Sequence, residues 1–381
     1  MRFLLFLVAC LIVYGSLYPF QFDANGFTAE AFDAFLTTWT APTRRGDTLG
    51  NIALFMPLGL IGQVCLPPRG SAMARFALLL ASGFVLAAGV QVLQLFTPDR
   101  DPALVDVTWN MVGLVLGAAP AFLPPVRALF AGRGLVAEVL VPVLLLACWF
   151  GSLLVPFVPS IDMQLWKDGL KPLFLRPEFV VDQFARDMPA WLAAACLGAV
   201  VVGERWLPVK LAFAAAAALG LKVVIIRNTM GLTDVVAAGV AVLALVALAR
   251  LPRRELAVAG LLLLGYLYVG LSPFETRPDS PDFSWIPFGA SLRGSMINNA
   301  AVVAYKAFFA GALVWLLVRA GAGYIAAAIV GLLATGIVEV GQLFVGDGTP
   351  EITDPLLALA AAIVIAVISP SASKSARATR K

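Results

Sequence analysis

Long apolar runs follow one another along the whole chain, separated by short polar loops. A helix that crosses a bilayer needs about 20 predominantly apolar residues at 1.5 Å each. Twelve runs approach that length, at roughly 3–20, 49–66, 74–96, 105–123, 134–156, 186–203, 207–226, 232–250, 256–273, 298–318, 322–344 and 354–369. The alternating pattern of a transmembrane barrel is missing. The chain therefore reads as all-α, a polytopic transmembrane helical bundle of about 12 spans. Leu7-Val8-Ala9-Cys10 has the look of a lipoprotein cleavage box, but the apolar run continues through Leu11-Ile12-Val13. An uncleaved first span is the expectation.

The runs fall into three groups of four. Each group begins with a helix that ends in a Ser followed closely by Pro-Phe: Ser16 with Pro19 and Phe20, Ser152 with Pro156 and Phe157, Ser272 with Pro273 and Phe274. An acidic, aromatic-rich segment follows, then three more runs. Between the last two lies a polar motif with a spacing of 12 residues, from Gln94 to Asp106, Lys222 to Asp234 and Gln342 to Asp354. An even number of spans per group gives all three one orientation, so they read as three parallel four-span repeats. The expected units are residues 1–131, 132–250 and 251–369, with 370–381 a basic cytoplasmic tail.

Composition supports the class: 61% of residues are hydrophobic and 13% charged, where a soluble domain carries roughly 25% charge. The charges are also unevenly placed. With the N-terminus inside, the inner loops carry Arg69, Arg75, Arg127, Arg133, Arg205, Lys210, Arg250, Arg253, Arg254 and Arg319 against Glu138, Glu204 and Glu255. The excess of Lys and Arg puts both termini in the cytoplasm and the polar motifs outside. The outer segments are amphipathic in places: Phe32, Phe35, Leu36 and Trp39 share a helical face. Such segments anchor a protein at the interface or form a partial lid over an outward cavity. There is no His, so the usual neutral-pH acid/base and metal ligand are absent. Cys10, Cys65, Cys148 and Cys196 lie in apolar runs without ligand spacing and read as small buried residues. Neither a metal site nor a cofactor is expected, and nothing points to nucleic acid.

Candidate chemistry gathers at the motifs. Asp106, Asp234 and Asp354 each stand where an outer loop enters a helix, a position that suits an N-cap as well as a ligand. Glu339 and Gln342 are three apart and share a face. Lys306 lies on the preceding span at a similar depth, which suggests a Glu339–Lys306 pair or, alternatively, a snorkelling lysine. The first repeat offers uncharged Gln91 and Gln94, with Asn51, Asp99, Arg100 and Asp101; Asn51 and Asn299 hold matching positions in their spans. The second repeat carries Lys222, Arg227 and Asp234, with Arg186-Asp187 near the start of its second span.

Read together, Asn51-Ile-Ala-Leu-Phe55-Met-Pro57-Leu-Gly59, Gln91-Val-Leu-Gln94, Arg100 and Asp106-Val-Thr-Trp-Asn110-Met-Val-Gly113 resemble the VanZ-like family of bacterial membrane proteins. The family pattern is an Asn…Phe-x-Pro-x-Gly span, a Glu-x-x-Gln helix end, a loop Arg, and Asp…Asn…Gly in the last helix. The resemblance covers residues about 14–122 and, with Asn299, Glu339, Gln342 and Asp354, about 266–368. Gln91 replaces the family's Glu, and the third repeat lacks the loop Arg. The namesake's link to teicoplanin-type antibiotic resistance does not carry over to this chain.

These features together suggest a multi-pass protein of the bacterial inner membrane and cell envelope. Its expected role is to bind or handle an amphiphilic envelope component, a lipid or lipid-linked glycan, at an outward-facing polar site. Gln91, Gln94, Arg100, Asp106, Asn51, Asn299, Lys306, Glu339, Gln342 and Asp354 are the candidate ligand-binding residues, with membrane lipids and envelope proteins as partners. Alternatives are a transporter or flippase with an intramembrane Glu/Lys pathway, and a structural partner-binding protein. An enzyme is less favoured, because paired carboxylates come without a nucleophile motif.

Overall fold

A computed structural model of the protein describes residues 2–18, 20–23, 27–43, 45–65, 71–97, 101–123, 135–279, 281–289 and 296–368. Arg100 and the side chain of Asn299 lie outside the described residues. The described residues are helical with no strands, only isolated β-bridges. The helices are α1 (Arg2–Leu17), α2 (Ala29–Leu36), α3 (Arg45–Cys65), α4 (Ala72–Gln94), α5 (Leu104–Ala118, extended by one 3-10 turn), α6 (Leu135–Leu154) and α7 (Met163–Phe174). They continue with α8 (Val181–Val202), α9 (Leu207–Val224), α10 (Leu232–Leu248), α11 (Arg254–Leu271), α12 (Met296–Arg319), α13 (Tyr324–Gly341) and α14 (Thr353–Ile368).

A helix covers each of the twelve apolar runs. Seven of these, within α4, α5, α8, α9, α11, α12 and α13, are long and apolar enough to cross a membrane. Shorter apolar helices of 10–17 residues occupy Leu5–Leu17, Glu138–Leu154, Leu232–Leu248 and Thr353–Ile368. Bulky apolar side chains such as Val85, Phe213, Leu264 and Ile325 point outward from the long helices, as lipid-facing positions do. Two further helices, α2 and α7, are short and amphipathic. Thr28 caps α2 by accepting from the Ala31 N–H at 3.1 Å, and Asp162 caps α7 by accepting from the Gln164 N–H at 2.8 Å.

The chain forms two compact bodies, Met1–Val136 and Ala137–Lys381. In the N-terminal body α3 packs lengthwise on α5. Small residues permit this: a Cβ on Gly59 would overlap the Leu114 carbonyl oxygen, and one on Gly113 or Gly117 would overlap the carbonyl oxygens of Ile52 or Met56. Phe55, Leu114 and Val107 are buried in the core beside them. In the C-terminal body α8 is the central helix. It packs against α10, α11 and α12, and Ala190 through Leu197 are all buried. Trp149, Trp191 and Phe308 interlock at the same core, with ring centroids 5.2–5.5 Å apart.

One local arrangement recurs at the three Pro-Phe landmarks. Phe20, Phe157 and Phe274 each adopt left-handed backbone, with φ of 63°, 58° and 63°. This turn folds the chain back over its helix end. Three residues later a backbone N–H reaches the end of the third long helix of the group. Asp23 donates to the Phe96 carbonyl at 2.7 Å, Ser160 to Val224 at 2.9 Å, and Arg277 to Phe344 at 2.9 Å.

Candidate functional site

The C-terminal end of α13, the loop after it and the first turn of α14 bring the acidic motif together. Glu339 is buried, and its Oε2 accepts the Glu351 backbone N–H at 2.6 Å. Glu351 is buried as well, and its Oε1 lies 3.0 Å from Lys306 Nζ on α12. The same ammonium lies 2.7 Å from Asp354 Oδ1. The Tyr266 hydroxyl, on α11, donates to Asp354 Oδ2 at 2.7 Å. Lys306 thus bridges Glu351 and Asp354, and Glu339 joins through the backbone of Glu351. The expected direct Glu339–Lys306 pair is replaced by this arrangement because the loop carries Glu351 into the space between them. Gln342 does separate work: its Nε2 donates to the Gly270 carbonyl at 2.9 Å and ties α13 to the end of α11. Arg277, from the outer segment, donates through Nη2 to the Gly348 carbonyl at 2.7 Å and through Nε to Gly346. It holds the loop that lacks an arginine of its own.

The middle motif is built differently. Lys222 Nζ is 2.6 Å from Asp234 Oδ1, and Gln183 of α8 donates to the same oxygen at 3.0 Å. Asp234 Oδ2 accepts the Gly231 N–H at 2.8 Å. The carboxylate is therefore one turn inside α10, closing the helix start and holding a cation at once. Asn228 donates to the Leu153 carbonyl at 3.4 Å, three residues before Pro156, as Gln342 does to Gly270 before Pro273. Arg186 and Asp187 pair on α8 through two contacts of 2.7 and 3.3 Å, with the guanidinium 5.8 Å from the Tyr305 ring centroid.

In the N-terminal body the uncharged version keeps the frame. Gln91 Oε1 accepts the Ala103 N–H at 2.9 Å, and Gln94 Nε2 donates to the Ser16 carbonyl at 2.7 Å. Gln91 thereby makes the bond that Glu339 makes, across the same 12 residues. Asn51 lies beside the Asp106 carboxylate, and Asp47 on the first turn of α3 adds negative charge near it. Asp106 Oδ1 is buried without a hydrogen-bond partner among the described residues, as are Asn110 Oδ1 and Trp109 Nε1.

A threonine hydroxyl links the outer segment to the start of the last helix in every case. Thr38 accepts from the Leu104 N–H at 2.8 Å, Thr233 from Val180 at 2.9 Å and Thr353 from Phe288 at 2.6 Å. Ser284 also exchanges backbone bonds of 2.9 and 3.0 Å with the Pro350–Ile352 strip. The outer segments therefore lie directly on the motif loops. Two cavities of about 330 Å³ are apolar grooves along α1 and α9, away from these motifs.

The residues left out of the sequence reading are Glu351, Tyr266, Gln183 and the three threonines. Glu351 had a signal, three residues before Asp354 on the path into α14; Tyr266 had none, because its role depends on how α11 packs. The polar frame of the N-terminal body coincides with the family comparison. Residues 2–124 match the VanZ/LLP1 family. No curated protein and no solved structure matches the chain. The VanZ-like region ends with α5 and so contains Asn51, Gln91, Gln94 and Asp106. With the seven long apolar helices, it marks the chain as a membrane protein.

Proposed function

We propose that this VanZ-like protein lies in the bacterial inner membrane and binds or handles an amphiphilic envelope component at an outward-facing polar site. It would do so as twelve spans in three parallel repeats, 1–131, 132–250 and 251–369, with both termini cytoplasmic. The observation that carries the reading is the polar end of α4 and α5, where buried Gln91 holds the Ala103 N–H and Asn51 stands beside Asp106 beneath an amphipathic outer segment. Buried polar groups at a membrane-protein helix end are costly unless they serve a partner. A lipid headgroup or lipid-linked glycan arriving along the interface would meet them. Three further points support the repeats: the left-handed Phe residues, the outer-segment backbone bonds and the threonine links recur in the same order.

The test is to insert Asp106→Asn, Glu339→Gln and Asp354→Asn separately and compare lipid and envelope-glycan profiles with wild type. A reproducible shift with Asp106→Asn at normal protein level is expected. Unchanged profiles for all three, with normal folding, would remove the proposal. A second reading draws on the buried Lys306–Glu351–Asp354 group, which suits a transport path through the C-terminal body. It requires an inward-open state, detectable as labelling of Asp354→Cys from the cytoplasmic side.

A further inference from the structure

Each of the two motif aspartates in the C-terminal body holds an ammonium supplied by the chain. Lys222 reaches Asp234 from the end of α9, and Lys306 reaches Asp354 from α12. The two lysines come from different places in the sequence, yet both put a primary ammonium against the same carboxylate position. In the N-terminal body neither source is present. Gln94 stands where Lys222 would be, twelve residues before the aspartate, and Leu58 stands seven residues after Asn51, as Lys306 stands seven after Asn299.

Among the described residues no cation lies against the Asp106 carboxylate. Its Oδ1 is buried and receives no hydrogen bond among the described residues. Asn110, four residues on and therefore on the same face of α5, is 3% exposed, and its Oδ1 is also without a donor. Two buried acceptor oxygens on one helix face lack N–H partners, and a buried acceptor left unpaired is unfavourable. Asp47, facing Asp106 from α3, adds negative charge to the same place. We propose that the Asp106–Asn110 face of α5 is a binding site for a primary ammonium group brought by a ligand, occupying the place that Lys222 and Lys306 fill elsewhere in the chain. This rests on the proposed binding of an envelope amphiphile and narrows it to one with an aminoethyl-type headgroup. The chemistry also sets a selectivity. A primary ammonium has three N–H donors for the two oxygens, whereas a trimethylammonium has the same charge and none.

The test uses the delipidated full-length protein in detergent, with ligand binding read from the thermal unfolding midpoint. The probes are short-chain phospholipids with ethanolamine, choline or glycerol headgroups, free ethanolamine, and NaCl or KCl. The ethanolamine lipid should bind at least about tenfold more tightly than the choline lipid, the scale of losing a charge-assisted hydrogen bond. Asp106→Asn should remove that preference. Gln94→Lys should also remove it by supplying the ammonium from within, and unlike Asp106→Asn it leaves the Asp106 carboxylate in place. Circular dichroism and gel filtration establish that both variants fold; if one does not, the other and the headgroup comparison still decide. Equal binding of the ethanolamine and choline lipids, an undiminished preference in Asp106→Asn, or equal stabilisation by Na⁺ or K⁺ would overturn the proposal. So would failure of the wild type to bind either ethanolamine probe, as expected if a guanidinium of the chain already fills the place. If free ethanolamine binds through Asp106 and no lipid does, the ammonium site stands and the amphiphile reading falls. If the glycerol-headgroup lipid alone binds through Asp106, the reverse holds.

Discussion

Removing the Lys306 ammonium would take away the cation that lies against both Glu351 and Asp354 in a buried group. Breaking one side of a buried ion pair costs about 3–5 kcal/mol. Lys306→Met should therefore lower the unfolding midpoint of the purified protein in detergent well below wild type. Adding Asp354→Asn to it should recover part of the loss, since the repulsion would then be gone. Equal midpoints for wild type and Lys306→Met would show that the group is not a stability element. Individual side chains are also where the sequence was easiest and hardest to read. The spacing of 12 residues located Gln94, Lys222 and Gln342 relative to their aspartates without any structure. It could not say that Gln91 and Glu339 bond a loop N–H, because that bond depends on where the loop closes. Nor could it pair Lys306 with Glu351, since the two are 45 residues apart and meet only through helix packing.

Among the elements, the α3–α5 contact depends on three residues without side chains. A substituent on Gly117 would enter the Met56 carbonyl, and one on Gly113 the Ile52 carbonyl. Overpacking of this kind costs about 1–3 kcal/mol, and more when backbone must move. Gly117→Val should reduce the yield of folded protein and lower its unfolding midpoint, whereas Gly89→Val, where a Cβ meets nothing within 4 Å, should change little. Comparable losses in both would refute the packing argument. Helices at this scale were legible because apolar length alone predicts them. Their starts were less so: α8 begins at Val181, ahead of the expected residue 186, and α3 at Arg45, ahead of 49. Both early turns are polar, so hydropathy could not include them. In the structure Thr43 meets Thr48 of α3 at 2.9 Å, and the Val180 N–H, at the cap of α8, donates to Thr233 of α10.

At the scale of the whole molecule, two compact bodies stand where the sequence pattern suggests three units. The second and third groups share one core because α8 packs on both α11 and α12. A shared core cannot be seen in the sequence of either group alone, while the four-helix rhythm can. The proposed orientation has a direct check on single cysteines in a cysteine-free background. Asp101→Cys, Asp162→Cys and Asp347→Cys, all exposed in outer segments or loops, should react with an impermeant maleimide in intact cells. Arg205→Cys and Arg250→Cys should react only after lysis. The opposite pattern would reverse the topology and move every motif to the cytoplasmic side.

The bonds from Asp23, Ser160 and Arg277 to the ends of α4, α9 and α13 are made by main-chain atoms alone. Such a clasp is indifferent to which side chain sits on it, so the three helix ends can keep one shape while their residues diverge. If the three groups are repeats, as proposed, their chemistry is free to vary independently. One copy can acquire an internal lysine and become self-sufficient, and another can remain receptive, without either having to be refolded. Grafting the residues of one motif into the frame of another is therefore a practical way to ask what each motif contributes without disturbing its helix ends.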